Sequence, residues 1–131
     1  MTFSNIGAVD KTIARAAAST AERFSDRPAL RHWREGGWKA MTFAEVGEVV
    51  DELALGLLAL GVKPADRICI LAKTRPEWTL SSLAISRAGG VVVPMYPSNS
   101  PLECEWVAGN SGGHDGVLRE RRSGGEDRRG P

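Results

Sequence analysis

Apolar positions along this chain recur with two different periods. Ile13, Ala17, Ala21 and Phe24 fall at helical spacing, which predicts a helix from Asp10 to Phe24, broken by Asp26-Arg27-Pro28. Ala29 to Arg34 alternates weakly, Glu35-Gly36-Gly37 signals a turn, and Trp38 to Met41 follows, so a hairpin is expected. Thr42-Phe43-Ala44-Glu45 reads as a capping box. It opens a helix whose stripe is Val46, Val49, Val50, Leu53, Leu57 and Leu60, stopped by Gly61 and Pro64. Arg67 to Ala72 is a short apolar run that suits a buried strand. Pro76 then sits in the first turn of a helix with Trp78, Leu83, Ala84 and Ala88 on its inner face, and Gly89-Gly90 ends it. Val91 to Met95 is a second buried strand, and Tyr96 to Asn99 a loop. A second capping box, Ser100-Pro101-Leu102-Glu103, opens a helix through about Ala108. Helix alternating with buried strand implies parallel pairing, so the predicted fold class is α/β, preceded by a hairpin.

The pattern changes at Ser111. From there to Pro131 only Val117 and Leu118 remain as large apolar residues among glycine and charge. Such a composition buries too little surface to offset its ordering entropy, so disorder is expected over 113–131 and a partial domain over 1–112. Five arginines (119, 121, 122, 128, 129) stand against four acids (115, 120, 126, 127), with no aromatic residue between them for base stacking. No nucleic-acid partner is expected.

Charge and cysteine content narrow the picture little further. A formal net charge of +1 excludes a dominant pull towards nucleic acid or anionic lipid. Cys69 and Cys104 lie far apart and read as two buried thiols rather than a disulfide or zinc pair. No apolar run approaches the ~20 residues that span a membrane. Cytoplasmic localisation is the expectation, with peripheral membrane contact left open.

Three segments carry a family resemblance. Met41-Thr42-Phe43-Ala44-Glu45-Val46 is similar to L-T-[YF]-x-E-[LV]. Leu57 to Ile68 is similar to L-x-x-x-G-[VL]-x-x-G-D-R-V, with Ala65 where glycine is usual. Arg75-Pro76-Glu77-Trp78 and Ser86 to Pro97 resemble the region around A-G-x-x-x-V-P-[IL]-[YN]-[PT]. In this order they resemble the start of the AMP-forming acyl-CoA synthetases of the adenylate-forming superfamily. Ser98-Asn99-Ser100-Pro101 and Glu105-Trp106-Val107 point to the long-chain fatty-acid branch. The resemblance implies a partial N-terminal subdomain of the adenylate-forming fold. It also implies a reaction in which a fatty acid and ATP, with magnesium, give an acyl-adenylate that coenzyme A then attacks.

The family's Gly/Ser/Thr-rich phosphate loop with its lysine, the adenine-binding segment, the ribose-binding aspartate and the C-terminal lysine match nothing here. Ala88-Gly89-Gly90 reads as a helix stop, and Gly109 to Gly113 lacks a following lysine and helix. His32 is expected at the surface, and His114 lies in the anomalous tail with no ligand-spaced partner. Trp78 and Trp106 suit core packing better than an acyl tunnel. No catalytic, cofactor-binding or metal residue is therefore assigned, and whether the chain is itself an enzyme stays open. Three readings compete: a truncated fatty-acid–CoA ligase, half of a split ligase completed by a second polypeptide, and a small non-catalytic α/β binding module.

The genetic code bears on the first two. Shifting the frame by one base across Gly113 to Pro131, with synonymous codons chosen freely, permits ATTVFCENAAQVAKIDEV. That reads as a strand followed by an amphipathic helix, which is what the family places there. The tail is accordingly expected to be out-of-frame translation.

Overall fold

In the computed structural model, residues 12–112 and 116–119 are described. The element order is α1 (Ile13–Arg23), β1 (Pro28–Arg34), β2 (Gly37–Thr42), α2 (Phe43–Ala59), β3 (Arg67–Leu71), α3 (Pro76–Arg87), β4 (Val91–Met95), α4 (Pro101–Ser111) and β5 (Gly116–Arg119). Thr12 caps α1, accepting the Arg15 N–H at 3.2 Å; Asp10, the expected start, lies outside the described residues.

β1 and β2 pair antiparallel around the Glu35-Gly36 turn. Thr42 ends β2 and begins α2 through a reciprocal cap. The Thr42 N–H donates to Glu45 Oε2 at 2.7 Å, and the Glu45 N–H donates to Thr42 Oγ1 at 3.2 Å. Ser100 and Glu103 repeat this at α4.

The buried face of α2 differs from the expected stripe. Val46, Val50, Ala54 and Leu57 are buried, while Leu53 and Leu60 are exposed. Ala54 and Leu57 of α2 share one buried cluster with Ala84, Ile85 and Ala88 at the end of α3 and with Ile68 and Ile70 of β3. Leu53, one position before Ala54, is turned to solvent. A second cluster joins Val46, Val50 and Leu80 to Leu30 and Met41 on the inner face of the hairpin.

β3 and β4 are parallel, as the alternation predicts, and the sheet order is β4-β3-β5. Helices α2 and α3 end in the same way. After α3, the Gly89 N–H donates to Ser86 O at 3.1 Å and the Gly90 N–H to Ile85 O at 2.9 Å. Gly89 takes φ +87, which only glycine adopts without strain.

Two expectations need correction. Helix α4 runs to Ser111, three residues past Ala108, and is capped by Gly112 in the left-handed region. Gly116–Arg119 is a strand parallel to β3, within the stretch expected to be disordered. The open edge of β3 offers unpaired backbone groups, and Val117-Leu118 supplies the β-favouring residues to meet them. Residues 113–115 and 120–131 lie outside the described residues, so the rest of that expectation is not addressed.

Candidate functional site

In an open α/β sheet the carboxyl ends of the parallel strands are where ligands sit, because the turns into the following helices leave a crevice there. β3 ends at Leu71 and turns through Ala72 to Arg75 into α3. β4 ends at Met95 and turns through Tyr96 to Asn99 into α4. The second turn is held closed: the Tyr96 N–H donates to Asn99 Oδ1 at 2.8 Å, and the Asn99 N–H to Tyr96 O at 2.9 Å. Between the two turns lies a cleft of about 720 Å³, with Lys73, Thr74, Arg75, Trp78, Met95 and Tyr96 in its lining.

Arg75 and Glu77 set the electrostatics of one wall. The Arg75 guanidinium donates twice to the Glu77 carboxylate, from Nε at 2.8 Å and from Nη2 at 3.0 Å. These bonds hold the Glu77 carboxyl down to about 2, with smaller help from its own backbone N–H and the charge of Arg34. The opposite turn carries Glu103, held below the usual carboxylate range by the Ser100 backbone N–H and then by its hydroxyl.

Neither carboxylate lines the cleft itself; each sits in the first turn of the helix that follows one of its turns. A phosphate seats well at a helix N-terminus, on free N–H groups and the positive end of the dipole. Here the N-termini of α3 and α4 each carry an ionised glutamate in the first turn, and Pro76 and Pro101 remove an N–H from each. The glycine pairs lie at the wrong ends of their helices: Gly89-Gly90 follows α3, and Gly112 follows α4. These two helix N-termini therefore do not fit the triphosphate of ATP, and no step through the nucleotide is derived for them. Among the described residues, no group of three His, Cys, Asp or Glu could hold a metal ion.

The individual candidates divide. Trp78 lines the cleft and packs on the main core cluster. Trp106 does not pack as expected: it is 67% exposed, and α4 buries no residue. His32 is half-buried rather than at the surface, with a buried Nδ1 that lacks a hydrogen-bond partner. The period of two in β1 turns it to the inner face of the hairpin. Cys69 is buried, and burial pushes its thiol up, partly opposed by a hydrogen bond with Ser111. Cys104, expected to be buried, is only half-buried. His114 lies outside the described residues. Lys73 and Thr74 carried no motif, and Arg75 entered only as the first residue of Arg75-Pro76-Glu77-Trp78; their placement at the end of β3 is what could have singled them out.

The AMP-binding enzyme family model matches residues 17–114. The chain belongs to this family. Among its curated relatives is the long-chain-fatty-acid–CoA ligase heimdall of Drosophila melanogaster, 40% identical over 94 residues, which are 69% of this chain and 14% of that protein. Another is the long-chain-fatty-acid–CoA ligase FadD15 of Mycobacterium bovis, 39% identical over 77 residues, which are 59% of this chain and 13% of that protein. The chain thus spans about a seventh of the length of these relatives. The fold of this AMP-binding family member is shared with solved adenylate-forming enzymes. The N-terminal subdomain of NpsA from Klebsiella oxytoca superposes with a TM-score of 0.74 at 22% identity, covering 84% of this chain and 32% of that one. The fatty acid AMP ligase from Legionella pneumophila gives 0.76 at 20% identity, covering 90% and 21%. Among the described residues, no helix is long and apolar enough to cross a membrane.

Proposed function

We propose that this chain is the opening part of a fatty-acid–CoA ligase and does not complete the ligase reaction alone. The family reaction joins a fatty acid to ATP as an acyl-adenylate, with magnesium, and then transfers the acyl group to coenzyme A. Its first step brings two anions together and needs donors aimed at the developing charge. The observation that carries the proposal is that the N-termini of α3 and α4 each hold a glutamate in the first turn, Glu77 paired with Arg75 and Glu103 capping Ser100. What this part contributes is a wall made of Trp78, Met95 and Tyr96 between the turns that follow β3 and β4.

The remainder of the ligase is proposed to lie in the adjacent reading frame. Two observations support this. The family match stops at residue 114, next to Gly113, where the shifted reading begins. In that shifted reading Val-Phe-Cys-Glu occupies positions 116–119, the same positions that pair with β3 as β5. Sequencing the locus through the codon for Gly113 tests it. The expected result is a family-like continuation in the shifted frame; a frame with no such continuation overturns it.

A second reading, half of a split ligase, is favoured by one feature. Leu102 and Trp106 stand one turn apart on α4, 74% and 67% exposed, as a face awaiting a partner would be. Co-expression with the downstream polypeptide should then restore acyl-CoA synthesis.

A further inference from the structure

We propose that residues 1–9 fold back over the groove between α1, α2 and α3 and strap α1 to the other two helices. The groove encloses about 620 Å³ and is walled by Ala14, Ala17 and Ala21 of α1, Val46 and Val50 of α2, and Leu83 of α3. Helix α1 is pinned at its C-terminal end. There a Cβ on Gly47 would sit 3.0 Å from the Ala21 Cβ, and the Phe24 and Phe43 rings meet with centroids 6.4 Å apart. At the N-terminal end Ile13 lies on the groove yet is 69% exposed, and α1 buries no residue. An exposed isoleucine continuous with an apolar groove offers a surface for a further apolar segment.

The chain itself supplies that segment. Residues 1–11 join α1 at Thr12, one position before Ile13, so they reach the groove without the association cost that a free ligand or a second copy bears. Asp10 suits a turn there. The nine residues before it span about 30 Å when extended. The 11 residues of α1 rise only about 16 Å, so the segment can reverse and still run the length of the groove. Its chemistry matches as well. Residues 1–9 carry no charged side chain, and Phe3, Ile6 and Val9 recur every third residue, on one side of a ribbon with three residues per turn. The charges on the α2 and α3 walls are already satisfied: the Arg87 Nε donates to Asp51 Oδ1 at 2.9 Å, so that rim calls for no charged occupant. The strap does not depend on the ligase reading.

Hydrogen exchange on the full 131-residue chain, read by mass spectrometry, tests it without ATP or fatty acid. In Phe3→Asp with Ile6→Asp the amides of α1 should exchange about tenfold or more faster than in the parent, while those of β3 keep their rate. Because two added charges could unsettle the whole chain, Phe3→Ala is measured beside it. It should speed α1 by a smaller factor and again leave β3 unchanged. If the α1 amides exchange alike in the parent and both variants, the proposal is overturned and the groove belongs to another occupant. An acceleration spread evenly over α1 and β3 in Phe3→Ala also overturns it. So does α1 protection that rises with the concentration of the parent chain, the sign of a second copy in the groove.

Discussion

Gly90 lies hard against Ile85 where α3 gives way to β4. A methyl group on Gly90 would sit 3.0 Å from Ile85 Cγ2 and 3.3 Å from the carbonyl oxygens of Asp66 and Ile85. Ile85 is fully buried, and the Gly90 N–H closes the end of α3, so neither side can retreat. Gly90→Ala is expected to cost about 1–3 kcal/mol. Gly56, exposed within α2 with open space where its Cβ would be, is the counterpart, and Gly56→Ala should gain about 0.5–1 kcal/mol. Urea unfolding, run below the concentration at which the chain associates, checks the opposite signs.

The pair of Arg75 and Glu77 makes stability depend on pH in one window. The Glu77 carboxyl is lowered from 4.5 to about 2, so its contribution is present above 4.5 and is lost as pH falls towards 2. Both side chains are more than a third exposed or close to it, at 35% and 50%, which limits the effect to about 0–1 kcal/mol. Glu77→Gln should be slightly less stable than the parent at neutral pH, and the difference should vanish by pH 2. Paired denaturation curves at the two pH values measure it.

Thiol labelling separates the two cysteines. Cys104 is half-buried on α4, and Cys69 is buried in the centre of the sheet with its thiol pushed up by burial. A maleimide should modify Cys104 in the native chain and reach Cys69 only on unfolding. Mass spectrometry after brief labelling distinguishes one adduct from two.

Leu102 and Trp106 give the chain an adhesive face. Leu102→Lys with Trp106→Glu should weaken concentration-dependent association by about 2 kcal/mol or more. Sedimentation of the parent and the double variant over a range of concentrations shows it.

Local signals were legible where chemistry is local. Thr42 and Ser100 announce their helices through a glutamate three residues on, and Gly89-Gly90 announces the end of α3. The α/β class followed from strand runs at Ile68 and Val91 that alternate with helices. The face of α2 was less legible, because hydrophobicity favoured Leu53 while the buried cluster with Ala84 and Ala88 takes in Ala54. β5 was missed because composition argued against order, whereas the open edge of β3 recruits even a short apolar pair. The cleft was not legible at all: Lys73, Arg75 and Tyr96 meet only once the sheet sets two strand ends side by side.

This chain belongs to the AMP-binding enzyme family, and its proposed inability to complete the ligase chemistry alone is open to direct test. The direct measurement is fatty-acid-dependent exchange of pyrophosphate into ATP, run on the 131-residue chain and on the polypeptide read through in the shifted frame. No exchange above background is expected for the first and clear exchange for the second. Exchange by the 131-residue chain alone would contradict it.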